Sequence, residues 1–162
     1  MLKWSLITAG LLAALVAVTL LAARWDAFGG QPPTDLGVRD GRLKAPSATR
    51  NSVSSQAGLW PGHPTGDYAR IAPLAWRGGG TQTLEGIATI VQTMPGGAVV
   101  ERRADYLRVQ FTTRWMRFVD DAEFWLDPQN QVIQVRSASR VGREDFGVNR
   151  ARIESIRQAL GR

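Results

Sequence analysis

The chain has no cysteine and a single histidine, His63. A zinc site of the Cys/His type therefore cannot be assembled from it. A Ser-His-Asp triad would have to recruit His63, which lies in the proline- and glycine-bearing stretch Trp60-Pro61-Gly62-His63-Pro64. Neither a phosphate-binding P-loop nor a glycine-rich dinucleotide turn is present. Lysine and arginine form no block and do not interleave with aromatics, which argues against a nucleic-acid partner. Of the net charge of +6, Lys3 and Arg24 account for two, and the remaining +4 is spread along the chain. Such a spread excess suits attraction to anionic lipid head groups.

Charge is missing altogether from Leu6 to Ala23, a run of 18 residues rich in Leu, Ala and Val. About 20 apolar residues span a bilayer core, whereas the apolar part of a signal peptide usually has about 7–15. No Ala-x-Ala cleavage site follows, and Arg24-Trp25 suits a membrane interface. Residues 1–24 are expected to be a single-pass membrane anchor, with a cleaved signal as the alternative. The basic residues on its two sides nearly cancel. The position of the run favours a folded part on the periplasmic or other extracytoplasmic side.

Aliphatic residues are scarce from Asp26 to Gly66, where Gly, Pro, Ser and Asp dominate. Residues 25–66 read as a tether followed by an irregular segment. Two stretches inside it look less like linker. One is Leu36-Gly37-Val38. The other is Asn51 to Gln56, whose hydroxyl and amide side chains bond nearby backbone and shape turns. It either packs as a capped irregular segment or supplies Ser54, Ser55 and Gln56 to a polar site.

Residues 67–162 carry the regular patterns. Tyr68 to Trp76, with Pro73 inside, reads as a short edge strand. Thr81 to Met94 places Leu84, Ile87, Ala88, Val91 and Met94 on one helical face, and Pro95-Gly96-Gly97 ends it. Ala98 to Arg102 and Tyr106 to Thr113 are two further strands. Arg114 to Arg117 either prolongs the second or bends into a loop displaying Trp115 and Met116. Val119 to Asp127 and Val132 to Arg140 form a hairpin about Pro128-Gln129-Asn130-Gln131. Val148 to Leu160 is a second helix, capped by Asp145 and docking Val148, Ile153, Ile156 and Leu160 on the sheet. The expected fold is α+β: an antiparallel sheet of about four to five strands with two helices on one face, plus the N-terminal transmembrane helix.

Setting Asp127 opposite Val132 puts Glu123 across from Arg136 and Asp121 across from Ala138. Asp121, Glu123 and Trp125 then share a face with Gln134, Arg136 and Arg140, while Phe124, Leu126, Ile133 and Val135 line the other. Asp120 and Asp121 point to opposite faces. With Ser137, Ser139, Asp145, Asn149, Arg150, Ser54 and Ser55, these polar residues are the candidate ligand-binding set, gathered at one end of the sheet. No cofactor and no metal is expected; a Ca²⁺ or Mg²⁺ site from Asp120, Asp121, Glu123 or Asp127 is opposed by the arginines beside them.

NSVSSQA, VDDAEFWLD and VRSASRVGREDFGVNR together resemble the DUF1499 family, bacterial and plastid proteins with no assigned activity. The resemblance covers roughly Pro33 to Leu160. It implies the same α+β domain and carries no mechanism. It also implies cysteines at the positions of Ala45 and Ser52. Both are replaced here, which fits loss of a disulfide linking them.

Two functions fit these residues. One is a non-catalytic binding or interaction module whose arginines take an anionic lipid, a glycan or a protein partner by paired hydrogen bonds. The other is a hydrolase dividing acid and base roles among the Asp/Glu/Arg/Ser cluster. Against both stands plain cross-strand pairing, worth roughly 0.2–1 kcal/mol per exposed ion pair.

Overall fold

The computed structural model describes residues 2–25 and 27–161. It opens with α1 (Leu2–Arg24), a helix of 23 residues. Large apolar side chains such as Leu11, Leu15 and Val18 are exposed along it. At about 1.5 Å per residue it is roughly 34 Å long, enough to cross a bilayer's hydrocarbon core of about 30 Å. By length and composition it is one helix able to span a membrane.

The remainder is α+β. A six-stranded antiparallel sheet contains β1 (Ser52–Ser54), β2 (Leu74–Ala75), β3 (Gly97–Arg102), β4 (Tyr106–Thr112), β5 (Val119–Asp127) and β6 (Val132–Ser139). The order is β1-β6-β5-β4-β3, and β2 joins the same edge of β6 beyond β1. The hairpin register is the expected one, with Glu123 opposite Arg136 and Asp127 opposite Val132.

Two findings depart from the sequence reading. Asn51 to Gln56 is not merely irregular: Ser52–Ser54 forms a strand along β6. Tyr68 lies in a helical turn, α2 (Gly66–Ala69), so the expected Tyr68–Trp76 strand shrinks to Leu74–Ala75. Pro73 explains the brevity, since it has no N–H to offer a ladder.

Helices α3 (Gly80–Thr93) and α4 (Val148–Leu160) cover one face of the sheet. Leu84, Ile87, Ala88 and Val91 of α3, with Ile153 and Ile156 of α4, bury against Leu107, Val109, Phe111, Phe124, Ile133 and Val135. Val148 is a correction, because it is 51% exposed while Asn149 is fully buried. The helix begins after Gly147, at φ 81°. Counting from there, Asn149, Ile153, Ile156 and Leu160 fall on the face turned to the sheet.

The other face of the sheet is covered by coil. Leu43 is buried there, and its N–H donates to Gln56 Oε1 (2.8 Å). Gly37, at φ 107°, turns its N–H onto Glu123 Oε1 (2.7 Å). Only glycine holds that backbone conformation without strain. The coil thus seals a row of charged side chains that a two-layer sheet would leave wet.

Candidate functional site

Because side chains alternate along strands, β5 and β6 present two polar groups on opposite faces. On the coil side, Asp121 accepts both arms of Arg140, Nε to Oδ2 at 2.6 Å and Nη2 to Oδ1 at 3.0 Å. Gln110 Nε2 adds a bond to the same carboxylate (3.3 Å). This is the bidentate geometry that makes arginine–carboxylate pairs strong. It commits both partners.

Glu123 and Arg136 are held differently. Glu123 Oε1 accepts from Tyr106 Oη (2.8 Å) and from Gly37 N–H. Its Oε2 is buried with no hydrogen bond. Arg136 Nη1 stands 3.7 Å from it, an ion pair without a hydrogen bond. Arg136 Nε donates to the Ala45 carbonyl (3.2 Å). Neither Nη of Arg136 has a hydrogen-bond partner among the described residues, although the residue is only 4% exposed.

Burial pushes the Glu123 carboxyl above its ordinary range, against the opposing pull of Gly37 N–H, Arg136 and Tyr106. Burial also works against the charge of Arg136. The guanidinium nevertheless stays protonated, as arginine does in proteins. The Tyr106 hydroxyl is pushed up by burial and by Glu123.

Arg136 lines a cleft of about 390 Å³ between β6 and the covering coil. Gln31, Pro33 and Leu36 form one side, Lys44 to Asn51 another, with Asp121, Ser139 and Arg140 at the base. The volume lies within the usual range of small-molecule sites. Lys44 is paired to Asp35 at 2.7 Å, and that bond holds the Asp35 carboxyl below its ordinary range. Three cations therefore face one carboxylate around the cleft, and Arg136 is the cation whose Nη donors are uncommitted. Ala45 and Ser52, the two positions where the resemblance implied cysteines, bracket the coil wall. Here Ser47 N–H donates to Ser52 Oγ across that loop (2.8 Å).

On the helix side the polar residues satisfy one another. Asn149 Oδ1 accepts from Ser137 Oγ (2.6 Å) and Arg152 Nη1 (2.9 Å). Its Nδ2 donates to Asp145 Oδ2 (2.8 Å), Ser139 Oγ (3.1 Å) and the Asn51 carbonyl (3.3 Å). Asp145 also accepts from Tyr68 Oη and from the N–H groups of Gly147 and Asn149, so it caps α4 from just before its start. Burial alone would raise the Asp145 carboxyl, but these bonds hold it below its ordinary range. They push the Tyr68 hydroxyl in the opposite direction, up to about 12, with burial the larger cause. Arg150 binds the backbone carbonyls of Tyr68 and Arg70. Asp120 pairs with Arg152 (2.7 Å), whose guanidinium lies over Phe111.

The candidate residues thus divide. Asp121, Glu123, Arg136 and Arg140 lie on the cleft side. Ser137, Asp145, Asn149 and Arg150 are tied into the α4 junction, and Ser139 touches both. Ser54 Oγ accepts from Gln56 N–H (3.1 Å), and Ser55 Oγ bonds Gln134 Oε1 (2.7 Å) and Val135 N–H (2.8 Å), away from the cleft. The sequence reading missed Lys44, Asn51, Gly37 and Arg152. Leu36-Gly37-Val38 and Asn51 to Gln56 carried a local signal; Lys44 and Arg152 carried none.

A family model described as "Protein of unknown function (DUF1499)" matches residues 42–160. The chain belongs to the DUF1499 family. The matched stretch includes the whole sheet, both covering helices, Lys44 and Arg136, while Gln31, Pro33, Leu36 and Gly37 precede it. No curated protein and no solved structure matches this DUF1499 chain.

Proposed function

We propose that this DUF1499 protein is a membrane-tethered binding module, with its folded part on the extracytoplasmic side. Its cleft takes a small anionic group, a carboxylate or a phosphate. The observation that carries the reading is Arg136: a buried guanidinium whose Nη donors have no hydrogen-bond partner and face a cleft of about 390 Å³. Neither Nη is among the fully buried atoms that lack a partner, so both keep contact with solvent on the cleft side. A bound oxyanion would accept both arms of the fork. The larger cleft beside Trp125 supports the reading less, because Gln56, Gln134 and Asp127 there are already bonded to one another or to backbone. α1 supports the tether. Digestion of the folded part by protease added outside intact cells would support the side; complete protection would oppose it.

The binding test is calorimetry on the detergent-solubilised full chain against phosphate, acetate, glycerol phosphate and dicarboxylates. The comparison is with Arg136→Met/Glu123→Gln, which removes the charge pair together. Saturable binding by the wild type, lost in the double variant with its melt preserved, is expected. Equal binding by both proteins, or none by the wild type across the panel, would refute the anion site.

A further inference from the structure

The larger cleft, of about 460 Å³, opens beside Trp125 on the coil side of the sheet. Trp125 stands between Tyr106 of β4 and Gln134 of β6. One wall of the cleft is a tight turn. Arg39 N–H donates to the Arg42 carbonyl (2.9 Å) and Arg42 N–H to the Arg39 carbonyl (3.0 Å), with Asp40 at φ 50° and Gly41 at φ 70° between them. Asp-Gly is a pair that such a two-residue turn prefers, because both positions need positive φ. The buried Gln56 clamps the turn, donating Nε2 to the Gly41 carbonyl (2.9 Å) and accepting from Leu43 N–H. Gly41 is thereby set against the Trp125 ring; a Cβ there would lie 3.8 Å from Cη2. The facing wall is the β5–β6 loop.

The floor is fixed. Gln134 donates Nε2 to Asp127 Oδ2 (2.9 Å) and accepts from Ser55 Oγ (2.7 Å). Asp127 Oδ1 takes the N–H groups of Gln129 and Asn130 (both 3.2 Å). Around this floor three polar groups are unengaged. Among the described residues, the Trp125 indole N–H, the Asp40 carboxylate and the Gln129 amide form no hydrogen bond and no ion pair. The indole nitrogen is not among the enclosed atoms that lack a partner, so solvent reaches it. Leu59, 44% exposed, adds an apolar rim.

The charges here differ from those around Arg136. Asp40 and Asp127 line the cleft against one cation, Arg70, which itself stands 3.7 Å from Asp67. An anion is therefore disfavoured. What remains is an aromatic ring with a donor at its edge, a carboxylate on one wall and an amide on the other. A sugar ring presents the matching surfaces. Its face of C–H groups packs on an indole, and its rim of hydroxyls both donates to a carboxylate and exchanges bonds with an amide. Walls and floor that are already ordered reduce the entropy lost on binding.

We propose that this cleft binds an uncharged saccharide, one ring of it stacked on Trp125 with hydroxyls bonded to Asp40 and Gln129. The site is separate from the anion cleft and does not depend on it.

The test uses nitrogen-15-labelled full chain in micelles of a detergent without a sugar head group. The Trp125 indole N–H resonance is assigned by its loss in Trp125→Phe. That of Trp76, whose Nε1 is enclosed, is assigned by its loss in Trp76→Phe and serves as the control. Methyl glucoside, methyl galactoside, N-acetylglucosamine, maltose, cellobiose and chitobiose are titrated in turn. Expected is a saturable shift at Trp125 with Trp76 unmoved. Saturation by the single-ring sugars would support a free-sugar site, and saturation by the disaccharides alone a site for a glycan chain. Asp40→Gly, which keeps the positive φ, and Gln129→Ala should each weaken binding about tenfold, the size of one lost hydrogen bond. Both side chains are exposed and unengaged, so these variants should fold even where Trp125→Ala does not. A Trp125 resonance that saturates with none of the sugars, or that saturates with phosphate instead, would overturn the proposal. So would wild-type affinity in both Asp40→Gly and Gln129→Ala.

Discussion

Replacing Arg136 by Met should cost the fold about 3 kcal/mol at neutral pH, a fall in Tm of about 10 °C for a domain of this size. An exposed cross-strand pair would contribute no more than about 1 kcal/mol. The pair here is enclosed, with side-chain exposures of 5% for Arg136 and 0% for Glu123. Removing the guanidinium leaves Glu123 facing methylene groups, with Oε2 already lacking a hydrogen bond.

The loss should depend on pH in a definite sense. The Glu123 carboxyl is already raised above its unfolded value. Its contribution is therefore fullest below the ordinary carboxylate range and falls away as pH rises through the folded value. Without Arg136 the folded value moves higher still, so the deficit of the variant should grow from pH 5 to pH 8 and shrink towards acid. Adding Glu123→Gln should recover most of the lost stability, because the pair is then removed as a unit. Thermal melts of the detergent-solubilised full chain across that range check this. A deficit independent of pH would trace the loss to packing and not to charge.

Asn149→Leu should be more damaging, at about 4 kcal/mol, and should spare the cleft. Asn149 is fully buried and joins Ser137, Ser139, Asp145, Arg152 and the Asn51 carbonyl. Leucine returns none of these bonds. The Ser137 hydroxyl, which is fully buried, then has no acceptor, and the Asn51 carbonyl loses one of its donors. Each group left unpaired costs roughly 1–3 kcal/mol. Any protein that remains folded should bind anion with wild-type affinity, because Asn149 serves the helix side of the sheet. Denaturation melts read the first effect, and titration below the melting range reads the second. An affinity that falls with stability intact would return Asn149 to the binding site.

Most of the framework was legible in the sequence. The Pro128–Gln131 loop and the alternation on both sides of it set the hairpin register. The spacing of Leu84, Ile87 and Val91 set α3. The segments that failed to announce themselves lack periodicity for physical reasons. β1 has a single apolar residue, Val53, and its flanking serines bury only because their hydroxyls find backbone and amide partners. Residues 27–50 cover the sheet as coil, held by bonds such as Gly37 N–H to Glu123 that join positions 86 residues apart. Without that cover Glu123 and Arg136 read as an exposed pair. With it they become a buried pair beside a cleft. Arg152 meets Asp120 across two elements, a match that only the docking of α4 creates.

The most direct test of the anion site observes Arg136 itself. Its side-chain Nε–H resonance is assigned by its loss in Arg136→Met/Glu123→Gln, using nitrogen-15-labelled full chain in detergent micelles, and followed while phosphate or acetate is added. The cleft predicts a saturable shift at Arg136 with the Arg140 resonance, locked to Asp121, nearly unmoved. An Arg136 resonance that stays in place, or drifts without saturation in step with Arg140, would contradict it.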